Sequence, residues 1–193
     1  PAIRDILIDA HSTEKPLKLS FALIDALCEI VPAVKPQAAY DEMYGIEGIK
    51  CLKKTMDYAR ERGMYVLLDG KRGDIGATSE AYANAYLGKT EISGEALPAF
   101  NADCLTVNPY LGSDGILPFV KKCEEDNKGM FVLVKTSNKS SGELQDLKID
   151  GKNIYEYVAD LVKEWHELSG FGISAIVDGH PVLIGNEQYL LNE

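Results

Sequence analysis

The sequence predicts an α/β fold built on parallel strands, because short apolar segments alternate with longer amphipathic ones along the chain. The joints are short and polar, which is typical of parallel strands connected by helical crossovers. Two architectures fit this order: an open doubly wound sheet and a (β/α)₈ barrel. An open sheet usually carries a glycine-rich nucleotide loop after its first strand, and no such loop is found there. Because the 193 residues are 46% hydrophobic, we expect a single domain over residues 1–193.

Helices and strands follow from the spacing of apolar residues. Helical spacing predicts four helices, at residues 21–31, 46–59, 78–87 and 154–168. Pro32 ends the first helix, because proline cannot continue helical hydrogen bonding. Five apolar runs predict strands that end near Lys35, Asp69, Val107, Val134 and Val177. The run that ends at Val177 and a strand-like run after it flank residues 178–181 and predict a β-hairpin. The affiliation of residues 178–193 with the main domain stays open.

The charge and hydropathy of the chain argue against two classes of partner. Thirty acidic residues against twenty basic ones give a net charge of −10, which repels nucleic-acid backbones and anionic lipids. No run of residues is long and uncharged enough for a membrane span, and the first residues do not resemble a signal peptide. We therefore expect neither nucleic acid nor membrane as a partner. A local basic pocket for a small molecule is compatible with this charge balance.

The cysteines and histidines do not predict a metal site. Cys28, Cys51, Cys104 and Cys123 form no C-x-x-C pair, and the three histidines are scattered along the chain. We expect four reduced thiols, which is typical of a cytoplasmic protein.

The residues that suggest chemistry are concentrated in segment 69–78, which follows the most apolar strand and reads DGKRGDIGAT. Asp69 and Lys71 are two residues apart, so they project from one face of an extended chain. They stand at the carboxyl end of a parallel strand, where α/β folds place their active sites. A structural ion pair is the simpler interpretation, since a charge at a buried strand end is energetically costly unless it is paired with an opposite charge. The additional Asp74 and the flanking glycines favour a charged site on a mobile turn that approaches a ligand.

Polar residues follow three other predicted strands. Pro36 forces Lys35 into an extended conformation. In a barrel neighbouring strand ends converge, so Lys35 could face the charged residues of segment 69–78. An alternating Lys-Asp-Lys-Asp array could then form. A surface lysine is the alternative interpretation. Asn108 and Ser137 lie in loops after the strands that end at Val107 and Val134. Hydrogen bonding to a polar small molecule and ordinary turn chemistry explain these two residues equally well.

Several segments, taken in order, resemble the motifs of orotidine 5′-phosphate decarboxylases. Segment 69–78 resembles the subfamily that carries K-R-G-D-I, and further matching motifs lie at residues 31–37, 105–112, 131–138 and 141–147. The resemblance extends from about residue 21 to about residue 170, roughly three quarters of the chain. Because several separate motifs occur in the same order, the resemblance is specific.

This resemblance implies a (β/α)₈ TIM barrel and a homodimer with shared active sites. It also implies decarboxylation of orotidine 5′-monophosphate to UMP, the last step of de novo pyrimidine synthesis, without cofactor or metal. Four residues match the family's charged tetrad: Lys35, Asp69, Lys71 and Asp74. Lys71 matches the lysine that protonates C6 of the pyrimidine, and Asp69 the aspartate beside the substrate carboxylate. Asp74 and Thr78 match residues supplied across the dimer interface, and Ser137 matches a serine that bonds the pyrimidine.

Two parts of the family pattern are missing from the sequence. The first strand, with a G-L-D-P-like motif and a ribose-binding aspartate, is not evident, and Asp9 is a weak stand-in. The late P-G-x-G-A-Q-G-like loop and the arginine strand that grip the phosphate are not found, so the phosphate-binding residues stay unassigned. We therefore expect an incomplete barrel in a chain that is truncated or altered at both ends, or that is part of a fusion. The alternatives are a non-catalytic or engineered fragment of such a barrel, and a related decarboxylase that uses D-x-K-x-x-D to hold Mg²⁺ for a sugar phosphate.

Overall fold

The computed structural model describes residues 14–169, 173–177 and 180–184. The chain divides into two compact units, residues 1–70 and residues 71–193. The boundary falls inside one strand, β2 (Tyr65–Arg72), whose last two residues belong to the second unit.

The first unit is built from parallel strands and the helices that connect them. Besides the first six residues of β2, it contains α1 (Glu14–Leu27), β1 (Ala33–Val34), α2 (Ala38–Glu42) and α3 (Gly45–Glu61). β1 and β2 pair in parallel, with Val34 opposite Val66. Side chains of α3 and β2 form the buried core: Leu52, Met56, Ala59, Val66 and Leu68. The structure thus confirms two predicted helices and two predicted strands.

Two elements of this unit differ in length from their predictions. α1 ends at Leu27 rather than at residue 31, because a turn follows in which later amide groups donate to the Leu27 carbonyl. β2 continues to Arg72 instead of ending near Asp69, so the D-G-K-R residues form part of the strand and not a turn. Within the first unit, the Asp69 amide supports this extension by donating to the Pro36 carbonyl at 2.9 Å.

Asp41 makes the stability of the first unit depend on pH. Burial, followed by the neighbouring Glu42 carboxylate, raises the pKa of Asp41 from its usual 3.8 to about 6. Between about pH 4 and pH 6 the folded protein therefore binds a proton that the unfolded chain releases, and stability falls as the pH rises through this window. We expect Asp41→Asn to flatten this dependence and to raise the free energy of unfolding at pH 7 by about 1–2 kcal/mol. Urea unfolding at several pH values measures both effects, and a variant with the original pH slope would contradict the assignment.

The second unit contains the remaining strands and helices. Its elements are α4 (Gly76–Tyr86), β3 (Thr90–Ile92), β4 (Glu95–Leu97), β5 (Cys104–Val107), α5 (Ser113–Asp126), β6 (Gly129–Leu133), β7 (Lys148–Ile149), β8 (Lys152–Asn153), α6 (Ile154–Ser169), β9 (Ile173–Val177) and β10 (His180–Ile184). Two short 3₁₀ helices lie at Pro109–Leu111 and Lys139–Glu143.

The sheet of the second unit confirms the predicted α/β fold. β5 pairs in parallel with β6, and β6 pairs in parallel with β9. β10 returns antiparallel to β9, with His180 opposite Val177, which confirms the predicted hairpin. Side chains from β5, α5 and β6 form the core: Leu105, Val107, Ile116, Phe119 and Val132. Parallel strands that alternate with helices are the arrangement expected from the order of apolar segments.

The structure also contains elements that we did not predict. α5 buries Ile116, Phe119, Val120 and Cys123 at helical spacing, although Pro118 lies inside the helix. The pairs β3–β4 and β7–β8 form two small antiparallel hairpins. Among the described residues, no helix has both the length and the apolar character that crossing a membrane requires.

All four cysteines have free thiols, as the sequence predicts. Cys28 is half-buried, and Cys51, Cys104 and Cys123 are buried. Burial, followed by the Glu124 carboxylate, raises the pKa of the Cys123 thiol to about 12. Thiolate is the reactive form of cysteine, so Cys123 is an inert core residue at neutral pH.

Candidate active site

Lys35 and Asp69 form an ion pair in the first unit. Lys35 follows β1 and Asp69 lies in β2, and their Nζ and Oδ2 atoms are 3.2 Å apart. The Asp69 side chain is only 8% exposed, whereas that of Lys35 is 54% exposed. A buried carboxylate needs a partner of opposite charge, and Lys35 supplies one. The predicted approach of these two strand ends is therefore present, with the ammonium group of Lys35 accessible to solvent.

Lys71 has an unusual backbone conformation. It is a non-glycine residue at φ 46°, and its side chain is exposed. The left-handed region costs an L-residue about 1–2 kcal/mol, so it persists only where neighbouring groups hold the chain. Here the Lys71 amide donates to the Thr106 Oγ1 atom at 2.9 Å, and the Asn108 amide donates to the Arg72 carbonyl at 2.7 Å. Strained residues of this kind are typical of functional sites.

Gly73 packs the segment closely against the chain that follows β5. A Cβ atom at this position would lie 2.8 Å from the Asn108 carbonyl oxygen, which is closer than real Cβ contacts. Only glycine therefore fits without a shift of the backbone. The glycines of segment 69–78 were predicted to approach a ligand, but the approach seen at Gly73 is to another part of the protein.

Asp74 and Thr78 lie at the start of α4. The Asp74 Oδ1 atom accepts a hydrogen bond from the Ile75 amide at 2.8 Å, which stabilises the turn into the helix. Thr78 is exposed in the first turn of α4. An open cleft of about 830 Å³ lies beside them between α4 and α5, and Ile75, Ala77, Leu117 and Lys121 are among its lining residues. Thr78 is thus accessible to solvent, whereas Asp74 is half-buried beside it.

Asn108 and Ser137 follow strands β5 and β6, as predicted. The Asn108 Oδ1 atom accepts from the Tyr110 amide at 3.1 Å and caps the first 3₁₀ helix, so turn chemistry accounts for this oxygen. Ser137 is exposed in the loop after β6. It follows Thr136, whose position is set by a side chain nine residues further along the chain.

Gln145 holds Thr136 in place, although no sequence pattern singled out Gln145 as a site residue. Its Oε1 atom accepts from the Thr136 amide at 2.8 Å, and its Nε2 atom donates to Thr136 Oγ1 at 2.7 Å. Lys135, which precedes Thr136, pairs with Asp146. The loop that carries Ser137 is therefore braced by two consecutive residues, Gln145 and Asp146. The motif at residues 141–147 was the available signal for this role.

Thr106 is a second residue of the candidate site that the sequence patterns did not indicate. It is 1% exposed in an otherwise apolar strand, and a buried hydroxyl in such a strand indicates a specific hydrogen-bond partner. Its partner is the amide of Lys71.

Replacing Thr106 with valine tests this hydrogen bond. Valine keeps the shape of the side chain but removes the acceptor for the Lys71 amide, so we expect a loss of about 1–3 kcal/mol in the free energy of unfolding. The matched control is Thr106→Ser, which keeps the hydroxyl and should lose clearly less. Urea unfolding of both variants provides the comparison, and equal losses would show that the methyl group, not the hydroxyl, matters.

The seven predicted site residues therefore occupy two groups. Lys35 and Asp69 are paired in the first unit, and five residues lie at strand or helix ends of the second unit: Lys71, Asp74, Thr78, Asn108 and Ser137. Asp9 lies outside the described residues. Within the part of the chain that the structure describes, no three His, Cys, Asp or Glu side chains are grouped so that they could hold a metal ion.

Comparison with known proteins identifies the family. The profile of the orotidine 5′-phosphate decarboxylase / HUMPS family matches residues 8–181. The chain belongs to this family. The orotidine 5′-phosphate decarboxylase of Caldicellulosiruptor saccharolyticus is 49% identical over 143 residues, which are 74% of this chain and 47% of the relative. The enzyme of the same name from Rhodopirellula baltica is 47% identical over 160 residues, covering 80% of this chain and 52% of the relative.

Solved structures of orotidine 5′-phosphate decarboxylases match the fold. The OMP decarboxylase of Leishmania donovani has a TM-score of 0.71 at 34% identity, covering 86% of this chain and 60% of that one. The fold thus corresponds to part of the length of the family's TIM-barrel structures, as the sequence resemblance implies. The chain spans about half the length of the curated relatives it matches.

Proposed function

We propose that the protein decarboxylates orotidine 5′-monophosphate to UMP, with Lys71 as the proton donor. The observation that carries this proposal is the conformation of Lys71, held at φ 46° with an exposed side chain in a member of the decarboxylase family. In the reaction, the bond between C6 and the carboxyl carbon breaks and its electron pair stays on C6 while CO₂ leaves. A proton then passes from the Lys71 ammonium group to C6. A positioned ammonium stabilises the developing charge before it donates the proton.

Asp69 and Lys35 are two of the four members of the proposed charged array. The Lys35–Asp69 pair, at 3.2 Å, gives the buried Asp69 carboxylate a partner of opposite charge. In the proposal Asp69 lies beside the substrate carboxylate, and Asp74 supplies the fourth charge of the Lys-Asp-Lys-Asp array. The array requires no cofactor and no metal ion, because the ammonium groups provide the positive charge.

We further propose a homodimer in which Asp74 and Thr78 contribute to the partner's site. The position of both residues at the start of α4, where Thr78 is exposed and Asp74 is half-buried, and the neighbouring cleft support this arrangement. Ile75, at 54% exposure, adds an apolar side chain to the same surface. Asn108 and Ser137 are proposed to hydrogen-bond the substrate, in which case Asn108 binds through its amide NH₂ group because its oxygen caps a helix. The free thiols are consistent with a cytoplasmic location.

The direct test is the loss of orotidine 5′-monophosphate absorbance in the presence of this chain. We expect turnover that vanishes in Lys71→Ala and is unchanged by EDTA. Activity lost to EDTA and restored by Mg²⁺ would favour the metal-dependent sugar-phosphate decarboxylase instead. A folded sample without turnover would favour a non-catalytic fragment of the barrel.

A further inference from the structure

Arg72, the residue after Lys71, is held by an aromatic cluster of the second unit. Its Nε atom donates to the Tyr86 hydroxyl at 3.1 Å. Its guanidinium carbon lies 5.2 Å from the centre of the Tyr86 ring and 5.9 Å from that of Tyr82. These distances are within the range of cation–π attraction, and the planar guanidinium suits both the stacking and the directed hydrogen bond.

Tyr86 is itself a well-fixed anchor. It is the last residue of α4, and its ring stacks on Phe100 with centroids 4.9 Å apart. The Tyr86 carbonyl accepts a hydrogen bond from the Ala102 amide at 2.7 Å. Both the ring and the backbone of Tyr86 are therefore tied to the chain that leads into β5, and the Tyr86 hydroxyl presents a rigid acceptor to Arg72.

The main chain and the side chain of Arg72 are restrained from different directions. The Arg72 carbonyl accepts from the Asn108 amide, and the Lys71 amide donates to Thr106 Oγ1. These bonds fix the peptide group before the Cα atom of Lys71 and the peptide group after that of Arg72, and the contact to Tyr86 fixes the Arg72 side chain between them. A left-handed residue needs such excess restraint, because its own conformational preference opposes it.

We propose that Arg72 is a positioning residue for Lys71, and that the Tyr86 hydroxyl is the anchor through which it acts. Arg72 does not touch the reacting atoms. It keeps the Lys71 backbone left-handed and thereby aims the ammonium group. The inference rests on the proposed function for its catalytic consequence, whereas its structural part concerns the Lys71 backbone and needs no activity.

Tyr86→Phe tests the proposal by removing only the hydroxyl group. We expect the Lys71 amide to exchange with solvent about tenfold faster and kcat to fall about tenfold, while KM changes less than about twofold. The matched control is Tyr82→Phe, because the Tyr82 ring also faces Arg72 but its hydroxyl makes no hydrogen bond with the described residues. We expect the control to keep both values within about twofold of the parent chain. Arg72→Lys, which keeps the charge but loses the Nε donor, should behave like Tyr86→Phe.

The readouts separate this proposal from a purely structural effect. Faster exchange confined to Lys71 and its neighbours, with core amides unchanged, would support positioning. Equal acceleration of all amides, or equal behaviour of Tyr86→Phe and Tyr82→Phe, would overturn it. If the parent chain shows no turnover, the proposed function fails, and amide exchange at Lys71 alone decides the inference.

Discussion

Lys71→Ala is expected to lower turnover of orotidine 5′-monophosphate by at least about 10³-fold while the chain stays folded. The ammonium group is both the stabiliser of charge on C6 and the source of the proton in our proposal, and positioned acids of this kind contribute about 10²–10⁴-fold. Because the Lys71 side chain is exposed, we expect the alanine variant to stay folded. Absorbance assays give the rate, and urea unfolding gives the stability of the same samples.

Lys71→Gly is the matched control for the backbone at this position. Both variants lack the ammonium group, so neither should turn over substrate. Glycine adopts φ 46° without steric cost, whereas alanine does not, and we therefore expect the glycine variant to be more stable than the alanine variant by about 1 kcal/mol. Near-normal turnover in Lys71→Ala would refute the assigned role. Equal stability of the two variants would refute the backbone argument.

Asp74→Asn is expected to lower turnover by about 10²-fold or more with little change in stability. Asparagine retains the oxygen that accepts from the Ile75 amide, so the turn into α4 is preserved. The loss of the negative charge breaks the proposed array, in which positive and negative side chains alternate. Steady-state rates and urea unfolding of the variant measure the two effects separately.

Mixing Asp74→Asn with Lys71→Ala tests whether the site is shared. If Asp74 acts in the partner's site, a mixed dimer carries one site with both changes and one site with neither. With random exchange, half of the dimers are mixed, and about a quarter of the parent activity should return. Mass spectrometry of the mixture verifies the subunit exchange. No recovery after verified exchange would place both residues in the same subunit's site.

Much of the fold followed from local sequence patterns. The continuous apolar run at residues 64–68 predicted a strand that the structure contains, because a strand buried on both faces is apolar at every position. The apolar residues at helical spacing over 154–168 predicted a helix that the structure also contains, because a helix buried on one face repeats its apolar residues with the helical period. α5 escaped this reasoning although its buried residues are regularly spaced, since Pro118 in its middle reads as a helix breaker. The continuation of β2 to Arg72 was also missed, because charged and glycine residues there resemble a turn.

The sequence indicated some residues of the candidate site, and only the structure revealed the others. Its charged residues were recognised from their order in segment 69–78, and the ion pair between Lys35 and Asp69 was anticipated from the convergence of strand ends. Thr106 and Gln145 were not singled out. Each acts on a distant part of the chain, 35 and nine residues away, through hydrogen bonds that depend on how the chain packs.

By itself the sequence determined the family, the parallel α/β order of elements and the residues that carry charge. These features depend on covalent neighbours and on local periodicity, which the order of residues records directly. The tertiary structure alone decided that Lys71 adopts a left-handed conformation, that Thr106 accepts its amide hydrogen and that Tyr86 anchors Arg72. The physical reason is that a strained conformation is held by groups far along the chain, and no local pattern shows which of them will meet.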